Sequence, residues 1–549
     1  MNAAFADRIA MQNLLFAELS RMFGQEVPLY DKSLLVNKLC NQTVSTLLGK
    51  KYPGFGLTDE QLDKTSGERH GAIRIGKPDE YRWIAGFFAA FGMEPHNFYD
   101  MTSLGGKSQP IIATAFRSRV KPEHRVFTSL LMTDYFDPET QRRIESLLAP
   151  RQVFSPRAKE LVEKNERDGG LSQADARALI NEGTTRIFKW TGRARDHRLY
   201  QELSKAGFKI AADIACFESH HLNHLTPNTF CMDLYTSAMK FCLGELTPDV
   251  SLRRADQALT LLVGAADRDW MRLHFKHLTD EALDNYQSAS VPSSEVTALV
   301  RTLSARLQQR DLALAKLNHA GFKDFTEGPS EDTPVLLRQD AYKALTEPVQ
   351  FREADGTTVD TVHTARFGEI EQRFFATTPK GRALYDECLA AADKIRESDP
   401  SLIKRDYEAY QRAYAKCFAR FPKTLAGLLQ QRLVFARYSP TDKGRTAAKG
   451  GQIATDDVSE LLRQGYVRVE GLRYEDFLPF SAAGIFASNL GQYGTQSTAA
   501  ARPTYTQATL EKIMGREIID PNAAYAEQET ASLEKVRGEL GRPVVDSRN

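Results

Sequence analysis

Polar and apolar positions alternate across Gly67-Glu68-Arg69-His70-Gly71-Ala72-Ile73-Arg74-Ile75-Gly76, the period-2 signature of a strand. On that reading His70, Ala72 and Arg74 share one face and Gly71, Ile73 and Ile75 the other. A possible metal ligand and a fixed positive charge then point into the same space, at the two ends of a strand stretch of roughly 13 Å. The same patterning predicts a mainly helical start over 1–65, a helix around Asp79–Phe91, and strands at Ile111–Arg117 and Val126–Leu131. It predicts helices over 137–205, with Ser172 near a helix start, and a strand at Phe208–Cys216. Leu246–Glu331 reads as a helical module bracketed by the loop signals Thr247-Pro248-Asp249 and Gly328-Pro329. Strand-like segments resume at Val335–Leu337, Val349–Arg352 and Ala365–Gln372. Helices follow over 381–436, then a strand at Tyr466–Leu472 and helices at Thr509–Met514 and Ala524–Arg537. The resulting division is a first core part (1–245), the helical module (246–331), a second core part (332–500) and a C-terminal helical tail (501–549).

Charge narrows the possible partners. In 549 residues, 72 Lys+Arg against 71 Asp+Glu leave a formal charge of +1, so no electrostatic reason exists to expect nucleic acid or an anionic membrane. Residues 1–22 read as an amphipathic helix without the continuous apolar stretch of a signal peptide. The apolar run Ile84–Phe91 is too short to cross a bilayer. The six cysteines are scattered and form no CxxC pair, as expected for reduced thiols of a cytoplasmic protein.

Several catalytic signatures are absent. Gly106-Lys107-Ser108 imitates the end of a P-loop, but Met101 stands where its first glycine belongs. There is no GxSxG, HExxH or Rossmann glycine triplet. Three of the eleven histidines, His220, His221 and His224, crowd into five residues after the predicted strand at 208–216. In His363–Arg373, period 2 places Phe367, Glu369 and Glu371 on one face. Taken by itself, the histidine cluster reads equally well as solvated surface, and the acidic strand reads better as an edge paired with Arg366 or Arg373. Together with His70, the segments supply two imidazoles and one carboxylate, a set suited to a first-row divalent metal, especially Fe(II). Spacing does not choose between His224 and His220, or between Glu369 and Glu371.

These residues sit in longer matching stretches: Glu68 through Arg74, Thr114-Ala115-Phe116-Arg117, Asn223-His224-Leu225-Thr226-Pro227, Leu336-Leu337-Arg338-Gln339, His363 through Arg373, and Tyr474 through Asn489. Through them the chain resembles the 2-oxoadipate dioxygenase/decarboxylase family, across most of its length outside 246–331 and the tail after about 500. The resemblance implies an α+β fold with a vicinal-oxygen-chelate-like curved sheet, surrounded by helices and carrying the inserted helical module. It implies His70, His224 and Glu369 as ligands of Fe(II), and Arg74 as the partner of the distal carboxylate of 2-oxoadipate. Phe477 through Gly484 would line the substrate pocket, Phe480 and Ser481 contacting substrate and Ser481 joining Arg74 in catalysis. The implied reaction takes 2-oxoadipate and O₂ to 2-hydroxyglutarate and CO₂, a step of lysine breakdown. Two departures stand out: Phe480 replaces a smaller aliphatic residue common in the family, and Asn228 replaces an arginine after the Leu-Thr-Pro run. A metalloenzyme acting on another 2-oxo acid, or a non-oxidative isomerase, lyase or hydrolase on the same core, is the second expectation. A non-catalytic interaction protein is the third.

Overall fold

The computed structural model describes residues 5–102, 108–317, 321–343, 345–364, 366, 368–478 and 505–541. Its strands are β1 (Glu68–Ile75), β2 (Glu94–Asp100), β3 (Ile111–Arg117), β4 (Arg125–Leu131), β5 (Arg193–Arg195) and β6 (His224–Pro227). They continue as β7 (Leu337–Ala341), β8 (Thr346–Arg352), β9 (Thr358–Thr364), β10 (Glu369–Arg373), β11 (Ala436–Pro440) and β12 (Val467–Gly471). More than twenty helical segments surround four small sheets, and no closed barrel forms among the described residues.

The largest sheet has the order β2-β3-β4-β1-β6. β1 pairs in parallel with β4, setting His70 opposite Arg125 and Arg74 opposite Ser129. Its other edge pairs antiparallel with β6, setting Ala72 opposite His224. Past the end of β6, Asn228 bridges Glu371, and the Thr229 N–H donates to the Glu371 carbonyl at 2.9 Å. The second sheet, β10 with β7, is thereby joined to the first, and Glu369 stands beside the strands that carry the histidines. The chain before Glu369 runs so close to Tyr342 that a Cβ on Gly368 would lie 1.9 Å from the tyrosine oxygen, so only glycine fits there.

Local chemistry accounts for the helices that brace this surface. Asp7 caps Arg8–Glu26, and Thr58 and Gln61 form a capping box on Asp59–Ser66. Pro28 and Pro78 start Pro28–Lys51 and Pro78–Ala90 at the position where a missing N–H costs nothing. Ser172 caps the helix that starts at Gln173, as the sequence predicts. Arg8–Glu26 packs on β1 and β6, and Pro78–Ala90 on β1 and β2. Among the described residues no helix is long and apolar enough to cross a membrane.

One element departs from expectation in a way that matters for the site. Phe208–Cys216, read from its pattern as a strand, contains a helix at Lys209–Cys216. All of Ile210 through Cys216 is buried, so the apolar run carries no face information, and a short run of that kind cannot be assigned by periodicity. Its three alanines and two isoleucines spaced four apart suit a buried helix. β2, β5, β9 and β11 were not anticipated, β5 falling inside the stretch 137–205 expected to be helical. β7 begins at Leu337, where the expected Val335–Leu337 ends, and β10 covers the described end of Ala365–Gln372. The helices Pro248–Ala265, Arg268–His274, Asp280–Asn285 and Ser293–Leu307 occupy the expected helical stretch. Its end differs: Phe322 and Glu327 bridge Tyr342 and Gln339 at the free edge of β7, so this segment joins the sheet that carries Glu369.

Candidate metal centre

His70, His224 and Glu369 are fully buried, and one donor atom from each lies within 4.8 Å of the other two. His70 Nε2 is 3.0 Å from Glu369 Oε2, and His224 Nε2 is 3.5 Å from the same oxygen. Donors in adjacent positions around an ion at bond lengths of about 2.1 Å stand roughly 3 Å apart. The set therefore closes on a divalent metal with little movement. Glu369 Oε1 has no hydrogen-bond partner among the described residues, an expensive state for a buried carboxylate oxygen that a metal would relieve. The residues fit a metal, and two nitrogens with one carboxylate suit a first-row divalent ion.

The neighbours prepare these donors. Thr226, two residues along β6 from His224 and so on the same face, donates its hydroxyl to Glu369 Oε2 at 2.9 Å. Burial alone would push the Glu369 carboxyl up. His224, His70 and Lys323 outweigh it, so the group stays below the usual glutamate value. Burial lowers His224 to about 4, leaving a neutral imidazole at pH 7, the form that ligates.

Behind His70 stands a second carboxylate. Glu371 Oε2 lies 2.8 Å from His70 Nδ1, while Glu371 Oε1 accepts from Arg125 at 3.1 Å and Arg373 at 2.8 Å. Burial opposes the ionised form, yet Arg373, His70 and Arg125 together hold Glu371 well below the normal range. Arg125 also reaches Glu475 at 2.6 Å, and Arg373 donates to the Asp476 carbonyl at 2.6 Å. The 475–477 segment is thereby tied to the metal side of the sheet. Phe477 sets its ring edge-on to His70, centroids 4.8 Å apart.

Arg74 projects from the other end of β1. Its Nη1 donates to Asp213 Oδ2 at 2.8 Å, and His363 Nε2 lies 3.1 Å from Asp213 Oδ1. Burial would raise the Asp213 carboxyl, but His363, Lys209 and Arg74 bring it down to about 2. His363 is raised because Asp213 outweighs its own burial. Arg74 remains close enough to the metal donors to help depress His224.

Among the histidine candidates, His224 alone reaches the cluster. His220 sits 3.6 Å from Glu80, which holds Arg151 at 2.8 Å. His221 packs against Trp190, Phe217 and His363. Asn228 ties backbones together: its amide donates to the Thr65 carbonyl at 2.9 Å, and its Oδ1 accepts from Arg473 at 3.2 Å. A cation thus stands next to the position where an arginine was expected and is missing. Phe480 and Ser481 lie outside the described residues.

Asp213 escaped the sequence reading because its helix was taken for a strand. Its place four residues after Lys209 is the signal a helical reading would have used. Thr226 carried a weaker signal, at i+2 from His224. Gln339, opposite Glu371 and buried with neither amide atom hydrogen-bonded among the described residues, was marked only as the end of the matching stretch Leu336-Leu337-Arg338-Gln339, and Lys323, buried on the segment that bridges β7, had no signal.

With this geometry in place, comparison with known proteins is direct. The family model described as 2-oxoadipate dioxygenase/decarboxylase matches residues 15–243 and 270–489, passing over the whole of the helix Pro248–Ala265. A 2-oxoadipate dioxygenase/decarboxylase of Pseudomonas putida is 34% identical over 532 residues, spanning 94% of each chain. One from Escherichia coli is 30% identical, spanning 97% of this chain and 98% of its own. The crystal structure of the Pseudomonas putida hydroxyglutarate synthase in complex with 2-oxoadipate superposes with a TM-score of 0.67 at 32% identity, covering 98% of this chain and 99% of that one. The shared length, the ordered motifs and the buried donor set agree, and the chain belongs to the 2-oxoadipate dioxygenase/decarboxylase family.

Proposed function

We propose that this protein is an Fe(II)-dependent dioxygenase/decarboxylase that converts 2-oxoadipate and O₂ to 2-hydroxyglutarate and CO₂, with His70, His224 and Glu369 as the iron ligands. The observation that carries the reading is the convergence of those three buried donors from β1, β6 and β10 within 4.8 Å, in a chain of this family. Iron, when bound, supplies Lewis acidity and the redox capacity for oxidative decarboxylation.

The protein's own part is positioning and proton placement. The Glu371 carboxylate, 2.8 Å from His70 Nδ1, draws the ring proton to that nitrogen by its charge, which leaves the Nε2 lone pair facing Glu369 and the ion. Thr226 orients the Glu369 carboxylate. Arg74 is assigned to the distal carboxylate of the substrate. The Asp213 contact uses one of its five N–H donors and aims the guanidinium, and a bidentate arginine–carboxylate pair is exacting enough to decide which carbon faces the metal. Phe477 walls the His70 side and keeps water from that face. On the resemblance, Phe480 and Ser481 complete the substrate contacts, Ser481 sharing the catalytic role with Arg74.

On this reading β1, β6 and β10 belong to a vicinal-oxygen-chelate-like curved core, divided at 245 and 331 by the helical module and followed after 500 by the tail. The same reading places the reaction in lysine breakdown in the cytoplasm. The test is anaerobic loading with Fe(II), then addition of 2-oxoadipate and oxygenated buffer. One O₂ consumed and one CO₂ released per 2-hydroxyglutarate is the expected result. Loaded protein that consumes no O₂ with 2-oxoadipate overturns the proposal.

A further inference from the structure

A cleft of about 520 Å³, with Arg74 outside its lining, lies between the chain at 240–254, the 321–324 segment and residues 403–408. Seven of its lining residues are Lys or Arg and four are Asp or Glu. Most of the exposed charges are accounted for locally: Arg253 pairs with Glu408 at 3.1 Å and Lys343 with Asp324 at 3.3 Å. Two cations are different. Lys240 is 8% exposed, and Arg254 is half-buried. Among the described residues neither has a carboxylate within ion-pair distance. Both lie over the ring of Tyr407, Lys240 Nζ at 5.2 Å and the Arg254 guanidinium carbon at 4.4 Å from its centroid. The nearest acceptor to Lys240 is a single backbone carbonyl, that of Asp324, at 3.5 Å, and Arg254 Nε has no partner among the described residues. Burial, and to a smaller extent the neighbouring Arg254 charge, disfavour the Lys240 ammonium and lower it overall, against the pull of the more distant carboxylates of Asp340, Glu245 and Asp324.

Two like charges gathered at one aromatic ring, one of them largely removed from water, raise each other's energy. A bound anion reverses the sign of that interaction and supplies the missing acceptors. We propose that this cleft is a second anion site, taking one small dianion of carboxylate or phosphate chemistry at Lys240 and Arg254 beside Tyr407. It goes beyond the proposed reaction, and the metal-free full-length protein tests it.

The experiment is calorimetric titration at low salt with inorganic phosphate and, separately, with glutarate, on the native chain and on Arg74→Ala. Saturable binding of one equivalent of at least one probe is expected. It should persist in Arg74→Ala, weaken about tenfold or more in Arg254→Leu, and weaken less in Arg254→Lys. The tighter probe distinguishes a phosphate from a carboxylate source. Absence of saturable binding of either probe in the millimolar range overturns the proposal, as does binding untouched by Arg254→Leu or abolished by Arg74→Ala. Circular dichroism verifies the fold of each variant, and Lys240→Met replaces Arg254→Leu if the latter does not fold.

Discussion

Glu371 Oε2 lies 2.8 Å from the Nδ1 of His70, on the far side of the ring from the metal donors. The two carboxylates of β10 therefore divide the work on one histidine: Glu369 meets Nε2 and Glu371 meets Nδ1. Alternation along a strand puts residues two apart on one face, which is why one strand supplies both.

Glu371→Gln keeps the side-chain shape but weakens the hold on the Nδ1 proton. Metal affinity should fall roughly 10- to 100-fold, the usual cost of losing such a partner, in an anaerobic Fe(II) titration. Glu371→Ala should also lower stability by about 3–5 kcal/mol, since Arg125 and Arg373 then lose a buried counter-charge. Chemical denaturation measures it. Unchanged metal affinity in Glu371→Gln would remove the orienting role.

Arg74→Ala should retain iron and lose substrate use, with kcat/KM for 2-oxoadipate down by roughly 2–5 kcal/mol of transition-state binding. Asp213→Asn leaves Arg74 in place but frees its Asp213-bound edge, so the effect should be smaller and fall mainly on KM. Steady-state kinetics on iron-loaded protein separates the two. Loss of iron in Arg74→Ala would contradict the assignment.

Thr226→Val removes one hydroxyl and nothing of its volume. A hydrogen bond to a charged group contributes about 1.5–3 kcal/mol, so metal affinity should drop roughly tenfold or more, and the metal-free protein, whose buried carboxylate loses a donor, should also lose stability. Equal affinity in the variant and the native protein would show that Glu369 is held by other contacts.

Stability should fall in acid before the carboxylates titrate. Burial depresses His96 to about 4 and His124 and His274 to about 3, against about 6.5 in the unfolded chain. Between pH 6.5 and 4 the unfolded state takes up protons that the folded state refuses. Folding therefore loses up to about 1.4 kcal/mol per pH unit for each such histidine, and the loss ends once the folded groups protonate as well. His363 acts in the opposite sense, because its raised value favours the fold at low pH. Thermal midpoints of metal-free protein across pH 4–8 follow the balance. A flat profile over that range would mean the three imidazoles are solvated.

Much of the site was legible before any fold existed. The alternation around His70 predicted β1 and put Arg74 on the same side as the histidine, and the ordered motifs through Thr226 and Glu369 named the family. Patterning failed where burial was complete. Lys209–Cys216 has no polar face to betray its helical period, so Asp213 was invisible as the partner of Arg74.

The sequence by itself determined the kinds of chemistry available: two imidazoles, two carboxylates and an arginine, each on a segment whose local pattern specified its backbone. Only the tertiary structure decided which of them meet. His224 was chosen over His220 and His221 by the pairing of β6 with β1, and Glu369 was separated in role from Glu371 by the bridge from Asn228 to β10. Register between strands far apart in the chain is set by packing of the whole core. Residues 70, 224 and 369 carry no local signal of their mutual distance, which the fold supplies.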